Sequence, residues 1–131
     1  MAAADRLRSA LESRDLDAAV ATLAPDVVFR SPIVHKPYHG PEAVRALLEG
    51  VMAVFEDFRY ERVIGAPGAA DHALVFAARI GERDIQGCDF LHETADGLID
   101  EFVVMVRPLT GALALAEGMR AHFEGAGVPA P

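Results

Sequence analysis

Asp89 is the residue of this chain best placed to move a proton. It stands in Gly87-Cys88-Asp89-Phe90-Leu91, a lone carboxylate among apolar residues in the middle of a strand-like run. Pointed inward, it would lose hydration, its pKa would rise, and it could act as an acid or hydrogen-bond donor at neutral pH. Facing solvent, or tied to a backbone amide, it would be an ordinary carboxylate. Cys88 has no basic neighbour to lower its pKa and would face away from Asp89, so a nucleophilic role is weak. His35 and His39 have the spacing of a helical zinc pair, yet Pro37 between them forbids a regular helix. No Glu-X-X-His or Cys-pair pattern accompanies them, and no metal or other cofactor is expected. Gly65-Ala66-Pro67-Gly68 is a turn lacking the Lys and Ser/Thr of a phosphate loop, and no Gly-X-Ser-X-Gly elbow occurs. His72, His92 and His122 read as surface residues.

The elements that would position Asp89 are legible from periodicity. A helix is predicted from about Ala3 to Glu12, with Leu7 and Leu11 one turn apart. Asp15 is a plausible N-cap for a short second helix burying Leu16, Val20 and Leu23, stopped by Pro25-Asp26. Val27 to Ser31 reads as a strand, followed by a Pro-rich loop from Pro32 to Gly40. Pro41 opens the clearest helix, with Val44, Leu47, Leu48, Val51, Met52 and Phe55 on one face. Four strands follow: Phe58 to Ile64, Ala73 to Ile80, Ile85 to His92 and Leu98 to Val106. Gly81-Glu82 and Asp96-Gly97 are hairpin signals between them. Thr110 to Glu124 suits a terminal helix, with a loose tail from Gly125 to Pro131. Helices first and antiparallel strands second means α+β, with helices on one face of a curved sheet.

The last strand carries apolar residues on both faces: Phe102, Val104 and Val106 on one, Ile99, Val103 and Met105 on the other. A sheet that met water would show polar residues on its outer face. Burial of that face against a second copy of the chain is the simpler explanation, so a homodimer is expected.

Length and charge narrow the function classes. At 131 residues, with 52% hydrophobic residues, one domain spanning residues 1–131 can bury an ordinary core without staples. Twelve basic against 20 acidic residues give a net charge of −8, which repels phosphate backbones and anionic lipid. Neither nucleic acid nor a membrane surface is an expected partner. A single Cys88, no membrane-length apolar run and an N-terminus without a signal-peptide core point to a cytoplasmic protein.

Two stretches carry a family resemblance. They are Val28-Phe29-Arg30-Ser31-Pro32 leading through Gly40-Pro41 into the helix, and Gly87 to Leu91 with Asp96-Gly97-Leu98-Ile99 and the final strand. In this order of elements the chain resembles the SnoaL-like branch of the nuclear transport factor 2-like (NTF2-like) superfamily. The resemblance implies a cone-shaped α+β barrel in which a bent sheet wraps a long helix and leaves a pocket at its open end. Polyketide cyclases, ketosteroid isomerase, scytalone dehydratase and limonene epoxide hydrolase share that fold, so it does not settle an activity.

Carried over by position, Asp89 matches the strand Asp that in ketosteroid isomerase stays protonated and hydrogen-bonds the oxyanion. The isomerase's general base falls on Ser31, which cannot take up a proton as a carboxylate does, and its oxyanion Tyr falls at about Leu7. Steroid isomerisation by that route is therefore not expected. His35, four residues after Ser31, is the nearest replacement base, and otherwise an exposed loop residue. Tyr38 could hydrogen-bond a ligand carbonyl or pack over the helix start. Phe29, Leu48, Met52, Phe55, Phe58, Phe102, Val104 and Val106 would line a pocket for a lipophilic ring, or simply fill the core.

Two readings remain. One is a lyase, isomerase or cyclase acting on a small lipophilic carbonyl compound, with Asp89 as acid and His35 or a water held by Ser31 assisting. The other is a non-catalytic, dimeric small-molecule-binding module. A sheet-face adaptor for other proteins is the weakest alternative.

Overall fold

The computed structural model describes residues 2–127 of the chain. Helices α1 (Ala3–Glu12) and α2 (Leu16–Val20) lead into strands β1 (Leu23–Arg30) and β2 (Tyr38–His39) and the helix α3 (Pro41–Val54). Strands β3 (Glu56–Ile64), β4 (Asp71–Ile80), β5 (Arg83–Glu93) and β6 (Ile99–Arg107) follow, and α4 (Leu109–Gly125) closes the fold. Among the described residues no helix is long and apolar enough to cross a membrane. The tail foreseen from Gly125 to Pro131 is in part helix α4 and a turn, and residues 128–131 lie outside the described residues.

Local chemistry accounts for most boundaries. The Asp15 carboxylate accepts the Ala18 N–H at 3.0 Å and caps α2. Pro41 starts α3 behind Gly40, whose φ of +91° an L side chain would resist. The end of α1 breaks the usual pattern. The Asp15 N–H bonds to the Ala10 carbonyl and the Arg14 N–H to the Leu11 carbonyl, a Schellman closure with Arg14 at the position usually given to glycine. Arg14 sits there at φ +58°, a left-handed conformation that costs a non-glycine residue about 1 kcal/mol.

The six strands form one sheet in the order β2-β1-β6-β5-β4-β3. All neighbours are antiparallel except β1 and β6, whose parallel pairing joins the first strand to the last. Leu23, which periodicity places on the second helix, begins β1 instead. Pro25 does not end the element, because it lies where the β1–β6 register shifts between Leu23 and Val28 and no paired rung needs its missing N–H. The two-residue β2 is hidden in the sequence by the Pro-rich loop around it. Register shifts between Glu56 and Arg59 and between Tyr60 and Arg62 bend β3 around the core.

The concave face holds the apolar interior. Leu74, Leu91 and Phe102 are buried there beneath Val44, Leu47 and Leu48 of α3 and Leu7 and Leu11 of α1, and Phe76 is buried beside them with Phe55, Ile85 and Leu115. Helix α4 closes the wide end by close approach. A Cβ on Gly111 would come within 2.5 Å of the Ile85 side chain, and one on Gly118 within 2.7 Å of Val54. Ile99 belongs to this core and not to the outer face, which corrects the alternation read from sequence. Between the rungs to His92 and Glu93, β6 steps from Glu101 to Ile99, and the extra residue reverses which face Ile99 points to. His72 is likewise a buried residue and not a surface one. Its Nε2 lies 3.0 Å from Glu93 Oε2, while Glu93 Oε1 accepts the Ala3 N–H at 2.8 Å and so ties down the start of α1.

The convex face has a patterned surface. Across β4, β5 and β6 its central rungs are apolar, Ala73, Phe90 and Val103 in one and Val75, Cys88 and Met105 in the next, while β3 adds Ile64 to the first and Arg62 to the second. Phe90 is 43% exposed and Met105 59% exposed. Towards one end lies the rung Asp71, His92 and Glu101, and towards the other the rung Arg59, Ala77, Gln86 and Arg107.

Candidate active site

Between the concave face and its helices lies a cavity of about 180 Å³. Strand β5 alternates Ile85, Gly87, Asp89 and Leu91 toward it, which aims Asp89 inward among apolar neighbours. Asp89 is 4% exposed and lines the cavity. The Tyr60 hydroxyl donates to its Oδ2 at 2.7 Å, the one hydrogen bond to this carboxyl from the described residues. Burial pushes the Asp89 carboxyl up to about 7, with the Tyr60 hydrogen bond pulling the other way. Burial also holds the Tyr60 phenol well above its ordinary value, and the neighbouring Asp89 charge adds to that. At neutral pH the pair therefore offers a neutral phenol O–H and a carboxyl that can gain or lose a proton.

Tyr60 is the site residue that sequence reading missed. It lies 29 positions before Asp89, on β3, and its rung partner is Phe76. Its ring stands edge-on to Phe58, at 5.0 Å between centroids, and to Phe76 at 6.3 Å. Phe76 in turn lies over Gly87, where a Cβ would come within 2.2 Å of its ring. Gly87 thus makes room for the aromatic stack that holds Tyr60 against Asp89. The signal available was the period of two: Phe58 was placed on the inner face, and Tyr60 follows it by two residues.

The remaining candidates divide clearly. Phe29, Tyr38, Phe102 and Val104 line the cavity from the sheet, with Phe58 beside Tyr60. Leu48 and Met52 of α3 and the capping Phe55 cover it. Val106 does not line it: one rung beyond Val104, it packs with Phe76, Ile85 and Leu115 toward α4. Ser31 reaches the cavity wall, but its Oγ accepts the N–H groups of Ile33 and Val34 at 2.9 and 3.0 Å. That turn directs Ile33 and Val34 to the cavity and carries His35 away. His35 is exposed on the loop and is no part of the lining, so it does not meet Asp89 across the mouth. His39 is exposed as well, and no group of three or more metal-ligating side chains gathers among the described residues.

Residues 4–102 match the SnoaL-like domain. The chain belongs to the SnoaL-like family. A steroid delta-isomerase from Pseudomonas aeruginosa is 41% identical, with a TM-score of 0.88 over 95% of this chain and 93% of that one. An uncharacterised bacterial protein with a cystatin-like fold, from Silicibacter pomeroyi DSS-3, is 34% identical, with a TM-score of 0.87 over 93% and 85% of the two chains. A putative SnoaL-like polyketide cyclase from Shewanella denitrificans OS-217 shares the fold at 18% identity, with a TM-score of 0.67 over 88% and 95%. No curated protein matches the chain. The SnoaL-like architecture accounts for the curved, unclosed sheet and its covering helices. The Tyr60–Asp89 contact is read from this chain's own geometry.

Proposed function

We propose that this SnoaL-like protein is an acid–base catalyst for a small lipophilic carbonyl compound, of the isomerase or cyclase type, with the cavity as its ligand pocket. The observation that carries the reading is the Tyr60–Asp89 pair: a buried carboxyl, pushed up to about 7, inside an otherwise apolar cavity. A carboxylate of that basicity takes a proton from a carbon next to a carbonyl more readily than an ordinary one. The C–H electron pair becomes the enolate double bond, the carbonyl pair moves to oxygen, and Asp89 holds the proton. With Asp89 neutral, the Tyr60 O–H has lost its charged acceptor and turns to the enolate oxygen. Return of the proton to the same or a conjugated carbon restores both groups.

The neighbour described as a steroid delta-isomerase makes isomerisation a reasonable reaction class. Ser31, where the resemblance puts the base of ketosteroid isomerase, is bound into its own turn, and the proton is assigned to Asp89 here. The test is deuterium exchange next to the carbonyl of simple cyclic ketones, followed by proton NMR. The native protein should accelerate exchange, more so as pH rises through about 7, and Asp89→Asn should not. Equal exchange by the two proteins would overturn the reading. A raised melting temperature without exchange would leave a binding module.

The outer face supports a homodimer of this chain. A two-fold axis lying in the interface, across the strands, sets the Asp71–His92–Glu101 rung of one copy over the Arg59–Gln86–Arg107 rung of the other, with Phe90 and Met105 between them. An axis along the strands would set acid over acid. Sedimentation of the native protein against Met105→Arg tests this arrangement.

A further inference from the structure

The cavity has a second chemical end. Its lining holds one acidic residue, Asp89, and two basic ones, Arg14 and Arg120, in a chain whose net charge is −8. Both arginines are exposed, whereas Asp89 is buried, so the cations stand at the mouth and the carboxyl at the floor. Arg14 is the more telling of the two. It occupies the left-handed closing position of α1 at φ +58°, where glycine would cost the backbone least. Departures from local preference of this kind concentrate where a side chain is needed. One Nη2 hydrogen of Arg14 goes to the Met52 carbonyl in the last turn of α3, which fixes the guanidinium beside a residue of the cavity lining, and its other N–H groups have no hydrogen-bond partner among the described residues. Arg120 pairs with Glu117 and Glu124 on the outer surface of α4, so it adds less charge at the rim.

Size supplies the other constraint. An engineered apolar cavity of about 150 Å³ holds one benzene ring, and the cavity here measures about 180 Å³. It suits a single six-membered ring better than a fused ring system.

We propose that the ligand is a monocyclic carboxylic acid, its ring packed in the cavity and its carboxylate held at the mouth by the Arg14 guanidinium. This inference rests on the reading of the cavity as a ketone site and adds the ligand's charge and orientation. A carboxylate turned inward would face the Asp89 carboxyl in an apolar floor, and turned outward it meets Arg14. The ketone of such a molecule then points to Tyr60 and Asp89.

The test compares two probes, a cyclohexanone bearing a carboxylate across the ring from its ketone, and the methyl ester of the same acid. Binding to the native protein is measured by calorimetry. The acid should bind about ten-fold more tightly than the ester, and added salt should weaken only the acid. In Arg14→Gln the advantage should disappear while the ester binds as before. Arg14→Gly, which relieves the left-handed backbone, should behave like Arg14→Gln and guards against a folding defect. Arg45→Gln, which removes an equal charge from an arginine outside the cavity lining and paired with Asp17, should leave the advantage intact. Equal binding of acid and ester, or an advantage that survives in both Arg14 variants, overturns this inference and leaves the ketone site standing. Failure of both probes to bind, with no exchange next to either carbonyl, overturns the ketone site and this inference with it.

Discussion

Asp89 and Phe90 are adjacent on β5, and each stands where the other would be expected. The carboxyl is 4% exposed and the phenyl ring 43% exposed. At these two positions the strand inverts the polarity that an ordinary solvated sheet would carry. Inside, desolvation raises a carboxyl into the range where it exchanges protons at neutral pH. Outside, Phe90, Val103 and Met105 make an apolar band between an acidic and a basic rung. Neither inversion helps the isolated chain fold, and each is what the proposed readings would require, a ligand within and a second copy without.

The strongest way to break this comparison is Asp89→Asn. Turnover should fall by about 10²–10⁴-fold, read as ketone deuterium exchange. Stability should move the opposite way. The folded carboxyl titrates at about 7 against an ordinary 3.8, so the native state keeps its proton longer than the unfolded chain does. Its contribution is complete below the ordinary value and is lost as pH rises through about 7. At about 1.4 kcal/mol per pH unit, the loss is on the order of 4 kcal/mol. Urea denaturation should therefore show the variant gaining on the native protein between pH 4 and 8, and an unchanged pH profile would refute a dry Asp89.

Met105→Arg addresses the opposite face. It should weaken self-association by about 100-fold, seen by sedimentation, while leaving the Asp89 titration where it was. A carbon-13 carboxyl titration that shifts with dimer loss would mean that the two faces are coupled. Gly87→Ala is smaller and inward. Its methyl group must displace the Phe76 ring, and about 1–3 kcal/mol of stability should go, with Tyr60 released from its stack. Tyr60→Phe should be smallest of the four. Without the hydrogen bond that pulls it down, the Asp89 carboxyl should titrate higher, and the exchange rate at pH 7 should drop by about ten-fold.

Much of this arrangement was visible in the order of residues. Pro41 with the apolar positions of α3, the Asp15 cap and the Gly81 and Gly97 turns each rest on contacts within a few residues, and all are present. The sequence singled out Asp89 but left it open to either face, and the pairing of β5 in the sheet turns it inward. His35 was misplaced because a loop has no period, and the turn built on Ser31 decides which of its side chains reach the cavity. Ile99 was misplaced because a single extra residue in β6 reverses every face beyond it.

What the sequence could determine about this protein was local: the helices, the hairpins, and a carboxylate in an apolar strand. What it could not reach depended on registers between strands far apart in the chain. Tyr60 meets Asp89 because β3 bends at two register shifts and pairs with β4, which pairs with β5. Arg14 faces the cavity because α1 closes left-handed beside the end of α3. Hydrogen-bond ladders and steric closure set those placements, and neither is written in the spacing of residues along one element.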